Sequence, residues 1–130
     1  MLLRRLSLLL ALAWMALLFY LSHQPSIETP TLFSGQDKVL HAAVYALLGL
    51  LLLAAQPRQA QGDYSWRQIG ISVLIASLYG LSDEIHQYFI PGRSSEVLDW
   101  VADTAGALIA ASLLAWLSRK RNSAGRRAYR

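Results

Sequence analysis

Apolar residues fall in four runs, Leu6 to Leu21, Val39 to Ala55, Ile69 to Phe89 and Val97 to Leu117. The linkers between them hold the helix breakers Pro25 and Pro30, Pro57 and Gly62, and Pro91 and Gly92. A helix needs about 20 residues to cross a hydrocarbon core of roughly 30 Å. The pattern therefore predicts an all-α fold, a four-helix transmembrane bundle with spans of about 6–22, 38–56, 68–89 and 97–117. Residues 1–118 make the transmembrane domain, and 119–130 a basic, disordered cytoplasmic tail. Arg4 and Arg5 ahead of the first run are how a secretory signal begins, but Ser22-His23-Gln24-Pro25 offers no small-x-small cleavage site, so this segment is expected to stay as a span.

Composition agrees with a lipid-covered surface. Only 15% of the 130 residues are charged and 55% are hydrophobic, where a soluble domain is about a quarter charged. The absence of cysteine excludes disulfides, thiolate chemistry and Cys-ligated metals. The net charge of +4 does not indicate nucleic acid, because the basic residues sit at the ends of apolar runs rather than among aromatics on a polar face. They read instead as topology signals. Placing both termini in the cytoplasm puts ten of the twelve Lys and Arg residues inside, with Lys38 and Arg93 outside. Trp66, Trp100 and Trp116 then fall near the membrane faces as interfacial anchors.

The third run ends in Asp83-Glu84-Ile85-His86-Gln87. Ionisable groups at bilayer depth are costly and mark sites. At 1.5 Å per residue, Asp83 lies about 21 Å along its span, His41 and Tyr45 about 6 and 12 Å into theirs, and Asp103 about 7 Å inside the fourth. Three helices thus bring polar groups to one outer-leaflet layer. Helical spacing makes three faces of mixed polar and small residues: His41, Tyr45 and Gly49; Gly80, Asp83, Glu84 and Gln87; Asp99, Asp103, Gly106 and Ala110. Such faces point into a bundle.

The candidate ligand pocket comprises Asp37, Lys38, His41, Tyr45, Asp83, Glu84, His86, Gln87, Arg93, Asp99 and Asp103. Carboxylates outnumber bases in it, so some share a proton, are protonated or hold a cation. An interhelical network alone, for example Lys38 with Asp83 and Arg93 with Asp99, is the competing account. No cofactor is required; a divalent metal stays open, with His41, Asp83 and His86 as competent ligands in a spacing that is not diagnostic. No nucleophile stands out, and Ser94 and Ser95 are expected to cap the fourth helix, with Glu96 in its first turn. Arg93, after Pro91-Gly92, is the best-placed anion binder.

Asp37-Lys38-x-x-His41-x-x-x-Tyr45, then Tyr79-Gly80-x-x-Asp83-Glu84-Ile85-His86-Gln87-x-Phe89-x-Pro91-Gly92-Arg93, then Asp99-x-x-x-Asp103-Thr104-x-Gly106 resembles the VanZ-like family of small bacterial membrane proteins. The motifs occur in order between about Asp37 and Ala111. Where the family pattern often has Asn before Thr, this chain has Asp103. The resemblance implies a multi-pass protein of the bacterial inner membrane, in a family named for a member tied to low-level teicoplanin resistance.

The expected partners are membrane lipids, an envelope precursor or a glycopeptide, and not nucleic acid. The leading reading is a protein that binds an anionic envelope lipid or peptidoglycan precursor. The alternatives are an intramembrane hydrolase or transferase on lipid-linked phosphates, with His41 or His86 as base, and an ion-coupled carrier subunit, which needs oligomers.

Overall fold

The computed structural model describes residues 1–25, 32–60 and 62–128, with side chains described as far as Gly125. Pro30, Tyr129 and Arg130, and the side chains of Arg126 and Arg127, lie outside the described residues. The helices are α1 (Leu2–Ser22), α2 (Gln36–Ala54), α3 (Trp66–Tyr88) and α4 (Val97–Ala128), with no strand among the described residues. They alternate in direction. α2 touches all three others, whereas α1 packs on α2 and α3 without approaching α4.

α1, α2 and α4 from Val97 to Gly125 are long and apolar enough to cross a membrane. α3 has the length, at 23 residues, but not the apolar composition expected of a fourth span. The reason is where its polar residues point: Ser72, Asp83, Glu84 and Gln87 are all buried in the bundle. Its two ends meet the same neighbours as a full span would, Ile69 packing with Leu53 and Ala115 near one end and Asp83 lying beside His41 and Tyr45 near the other.

The usual distribution of side chains is inverted. Leu9, Leu12, Leu74, Leu78, Ile85, Ile109 and Leu113 are exposed, while the interior is built of Ala11, Ala76, Ala107, Ala111 and Ala115 with a few large residues such as Tyr45 and Leu48. Lipid tails are as apolar as leucine, so burial of leucine gains little and close approach of small residues becomes the packing force. The α2–α4 seam is the clearest case. A Cβ added at Gly106 would stand 2.1 Å from the Ala42 carbonyl oxygen, and one at Gly49 2.8 Å from that of Ala107.

Side chains fasten the remaining joints. The Trp14 indole N–H of α1 donates to the Val44 carbonyl of α2 (2.9 Å), and the Tyr79 hydroxyl of α3 donates to the Met15 carbonyl of α1. Trp100, expected as an interfacial anchor, is half-buried and donates to the Ser77 carbonyl (3.0 Å), joining α4 to α3. Ser65 opens α3 through a capping box with Gln68. Gly92, at φ 81°, gives the left-handed turn that sends the chain from α3 back toward Arg93.

α4 does not stop at Leu117 as expected but runs on to Ala128. The basic tail is helical, its Arg and Lys residues being good helix formers that also complement the negative C-terminal dipole. Arg119 steadies it by donating to the Tyr64 carbonyl (2.9 Å) and lying over the Trp66 ring at 4.8 Å.

Candidate functional site

The C-termini of α1 and α3 and the N-termini of α2 and α4 meet at one end of the bundle. Negative groups belong near helix N-termini and positive ones near C-termini, and the side chains follow that rule. Asp37 and Asp99 lie in the first turns of α2 and α4. Arg93 donates to the carbonyls that end α1, through Nη2 to Leu21 (2.8 Å) and Nε to Ser22 (3.4 Å).

Lys38 is the centre of one network. Its Nζ bridges Asp37, Glu96 (2.6 Å) and Asp99 (2.9 Å), so the anticipated Lys38–Asp83 and Arg93–Asp99 pairs do not form. A second network crosses all three core helices. His41 Nδ1 lies 2.9 Å from Asp103 Oδ1, and Nε2 lies 3.9 Å from Asp99 Oδ2. With Asp103 as a carboxylate, Nδ1 is the donor. Asp103 is fully buried and packs over Gly80, where an added Cβ would come within 2.8 Å of its Oδ2. Glu84 Oε2 accepts the backbone N–H of Glu96 (2.9 Å), and Asp83 Oδ2 accepts from Gln87 Nε2 (3.0 Å).

Among the described residues at this end, Ser22 Oγ, Tyr45 OH, Asp83 Oδ1, Glu84 Oε1 and Asp103 Oδ2 are buried with neither a hydrogen-bond partner nor an ion pair. Such groups are costly to leave bare. Two cavities open beside them, of about 780 and 170 Å³, with Leu21, Leu40, His41 and Arg93 lining both. The larger adds Phe33, Gln36 and Asp37, the smaller Leu18, Val44, Tyr45, Asp83 and Gln87. Both linings mix aliphatic and polar residues.

All eleven residues expected to share a pocket lie at this end, but His86 does not face the other ten. It turns to α1, lying 3.1 Å from the His23 ring nitrogen with the Phe19 ring at 4.8 Å, because it sits off the Gly80, Asp83, Glu84, Gln87 face. The metal set His41, Asp83 and His86 is accordingly not assembled; His41, Glu84 and Asp99 are, with ligand atoms within 4.8 Å of one another. Glu96 was expected only as a first-turn acid. It precedes α4, its carbonyl receiving the Asp99 N–H (3.0 Å), while its carboxylate holds Lys38. The position of Glu96 three before Asp99, on the same face of an extended α4, was the signal available in the sequence.

Residues 7–118 match the family model described as VanZ/LLP1. No curated protein and no solved structure matches the chain.

Proposed function

Because this chain belongs to the VanZ/LLP1 family, we propose that it is a multi-pass protein of the bacterial inner membrane that holds the anionic headgroup of an envelope lipid or peptidoglycan precursor. Both termini are cytoplasmic on this reading, α3 crosses with the other helices under their cover, and the polar end faces the outer leaflet. The observation that carries it is Arg93 lining both cavities beside Leu21, Leu40 and His41, with Leu18, Val44, Asp83 and Gln87 joining them in the smaller one. A slot lined by both aliphatic and polar side chains suits the junction of a lipid headgroup and its chains. Two donor directions of the guanidinium are used by α1, and its remaining N–H groups are available to a phosphate or carboxylate oxygen. Lys38, held by three carboxylates, does not share that work. Its role is to keep Asp37, Glu96 and Asp99 in place.

Native mass spectrometry of the protein in nanodiscs, with phosphatidylglycerol or undecaprenyl phosphate as ligand, tests this. The parent protein should retain one lipid that R93Q loses. Equal retention by parent and R93Q protein, both inserted and abundant, would sink the reading.

A second reading, hydrolysis or transfer on a lipid-linked phosphate, is favoured by one observation: His41 is oriented by a fully buried Asp103 and lines both cavities. A histidine so held is a suitable general base. Phosphate release from undecaprenyl diphosphate by the parent and not by H41Q would establish it; stoichiometric binding without release removes it.

A further inference from the structure

We propose that the polar end holds one divalent transition-metal ion, bound by His41 of α2, Glu84 of α3 and Asp99 of α4. The inference stands on the donor geometry and does not rest on lipid binding. The three ligand atoms lie within 4.8 Å of one another, and small side-chain rotations bring them to the roughly 3.4 Å separations that tetrahedral coordination at about 2.1 Å requires. Glu84 and Asp99 are each only 5% exposed.

Each ligand is held from behind in the way a metal ligand needs. With Asp103 as a carboxylate, its Oδ1 accepts the Nδ1–H of His41, which leaves a lone pair on Nε2 of the neutral ring, the atom facing Asp99 Oδ2. Metal-bound histidines almost always donate their other ring N–H to a carboxylate or carbonyl. The Glu96 N–H fixes Glu84 through Oε2, and Glu84 Oε1 is buried without a partner. Lys38 Nζ steadies Asp99 through Oδ1, leaving Oδ2 on the histidine side.

Charge points the same way. Asp83, Glu84, Asp99 and Asp103 are all buried, yet Lys38 contacts only Asp99 among them and Arg93 is turned to α1 carbonyls. Buried carboxylates in excess of cations protonate or bind one. The neighbouring trio Asp37, Glu96 and Asp99 is not a competing site, because the Lys38 ammonium occupies it. One imidazole nitrogen and two carboxylate oxygens suit zinc or manganese. Three protein ligands also leave a coordination position open, as catalytic rather than structural sites do. Since His41 lines both cavities, that position is within reach of whatever enters them.

The test uses full-length, tag-free protein in nanodiscs, stripped with chelator and then titrated with Zn²⁺ or Mn²⁺ chloride. Bound metal is counted by mass spectrometry and the thermal midpoint is followed. The parent should take up one ion per chain and melt higher with it. H41Q, E84Q and D99N should each bind at least about 100-fold more weakly and lose the metal-dependent rise, and D103N about 10- to 100-fold more weakly.

A variant with both His23 and His86 replaced by alanine should bind as the parent does; loss of binding there would assign the metal to that histidine pair and overturn the proposal. So would a parent that takes up no ion, or E84Q and D99N proteins that keep full occupancy. Cobalt substitution of the parent protects the test against unfolded variants. An intense visible absorption marks a low-symmetry N/O site, and its absence counts against the site. Lipid retention by the chelated protein is measured alongside, so the failure of one reading is distinguishable from the failure of the other.

Discussion

The two ends of the bundle solve the same packing problem in opposite ways. At the end where Leu53, Tyr64, Ile69, Ala111 and Ala115 meet, the interior is mostly apolar and its polar contacts are few, among them Gln56 on the buried Ser72 hydroxyl, Arg4 on the Ala55 carbonyl and Arg119 on the Tyr64 carbonyl, with no buried cluster of carboxylates among the described residues. At the other end, four carboxylates, a histidine and a tyrosine fill the same space, several of their atoms unpartnered. A structure selected only for stability would have two ends like the first. Replacing buried charged groups by apolar ones of similar volume is often neutral or stabilising, so the polar end has the marks of a region shaped for binding. Proteins break local packing rules mainly at functional sites.

The largest effect expected is one that destroys the contrast. Gly106→Ala drives a methyl into the Ala42 backbone, prising α2 from α4 along the seam that both ends share. A loss of about 3 kcal/mol, the top of the usual range for overpacking, is expected, visible as a fall of the monodisperse fraction on size exclusion. Leu53→Ala, at a site of 0% exposure, should cost about 2–4 kcal/mol while ligand and metal binding stay as in the parent. A loss of binding there would show that the ends are not independent.

Arg93→Gln should cost about 1–2 kcal/mol, through the bare carbonyls of α1, and remove lipid retention. Asp83→Asn tests the contrast by sign. Removing a buried carboxyl group with one oxygen unpartnered is expected to raise thermal stability by about 1 kcal/mol while weakening lipid retention; a clear fall in stability would mean that Asp83 is better satisfied than its contacts show. His86→Ala, outside the cluster, should change stability by under about 0.5 kcal/mol and leave binding intact.

Much of this was legible in the chain because helices impose a period and a rise. Run length gave four helices, and counting at a fixed rise aligned His41 and Tyr45 with Asp83 and Asp103 before any contact was known. The same period places His86 off the face that carries Asp83, Glu84 and Gln87; contiguity with that motif is what made it look like a member. Two things were beyond helical arithmetic. Lys38 finds Glu96 58 positions away, from a linker whose path depends on the left-handed turn at Gly92. Trp14 and Trp100 satisfy their indole N–H groups on carbonyls of neighbouring helices, a choice set by which helices adjoin and by rotation about their axes. The helical tail was hidden by its charge, which marks a membrane boundary but does not end a helix.

The seam between α2 and α4 has a consequence for how the chain is made. Ala42 leaves the ribosome more than sixty residues before its contact residue Gly106, so the tightest seat of α2 does not exist until α4 has begun to form. α1, synthesised first, rests on α2 and α3 and never approaches α4. A chain halted after α3 could therefore seat α1 on α2 and α3 but would lack the seam in which α2 and α4 approach most closely.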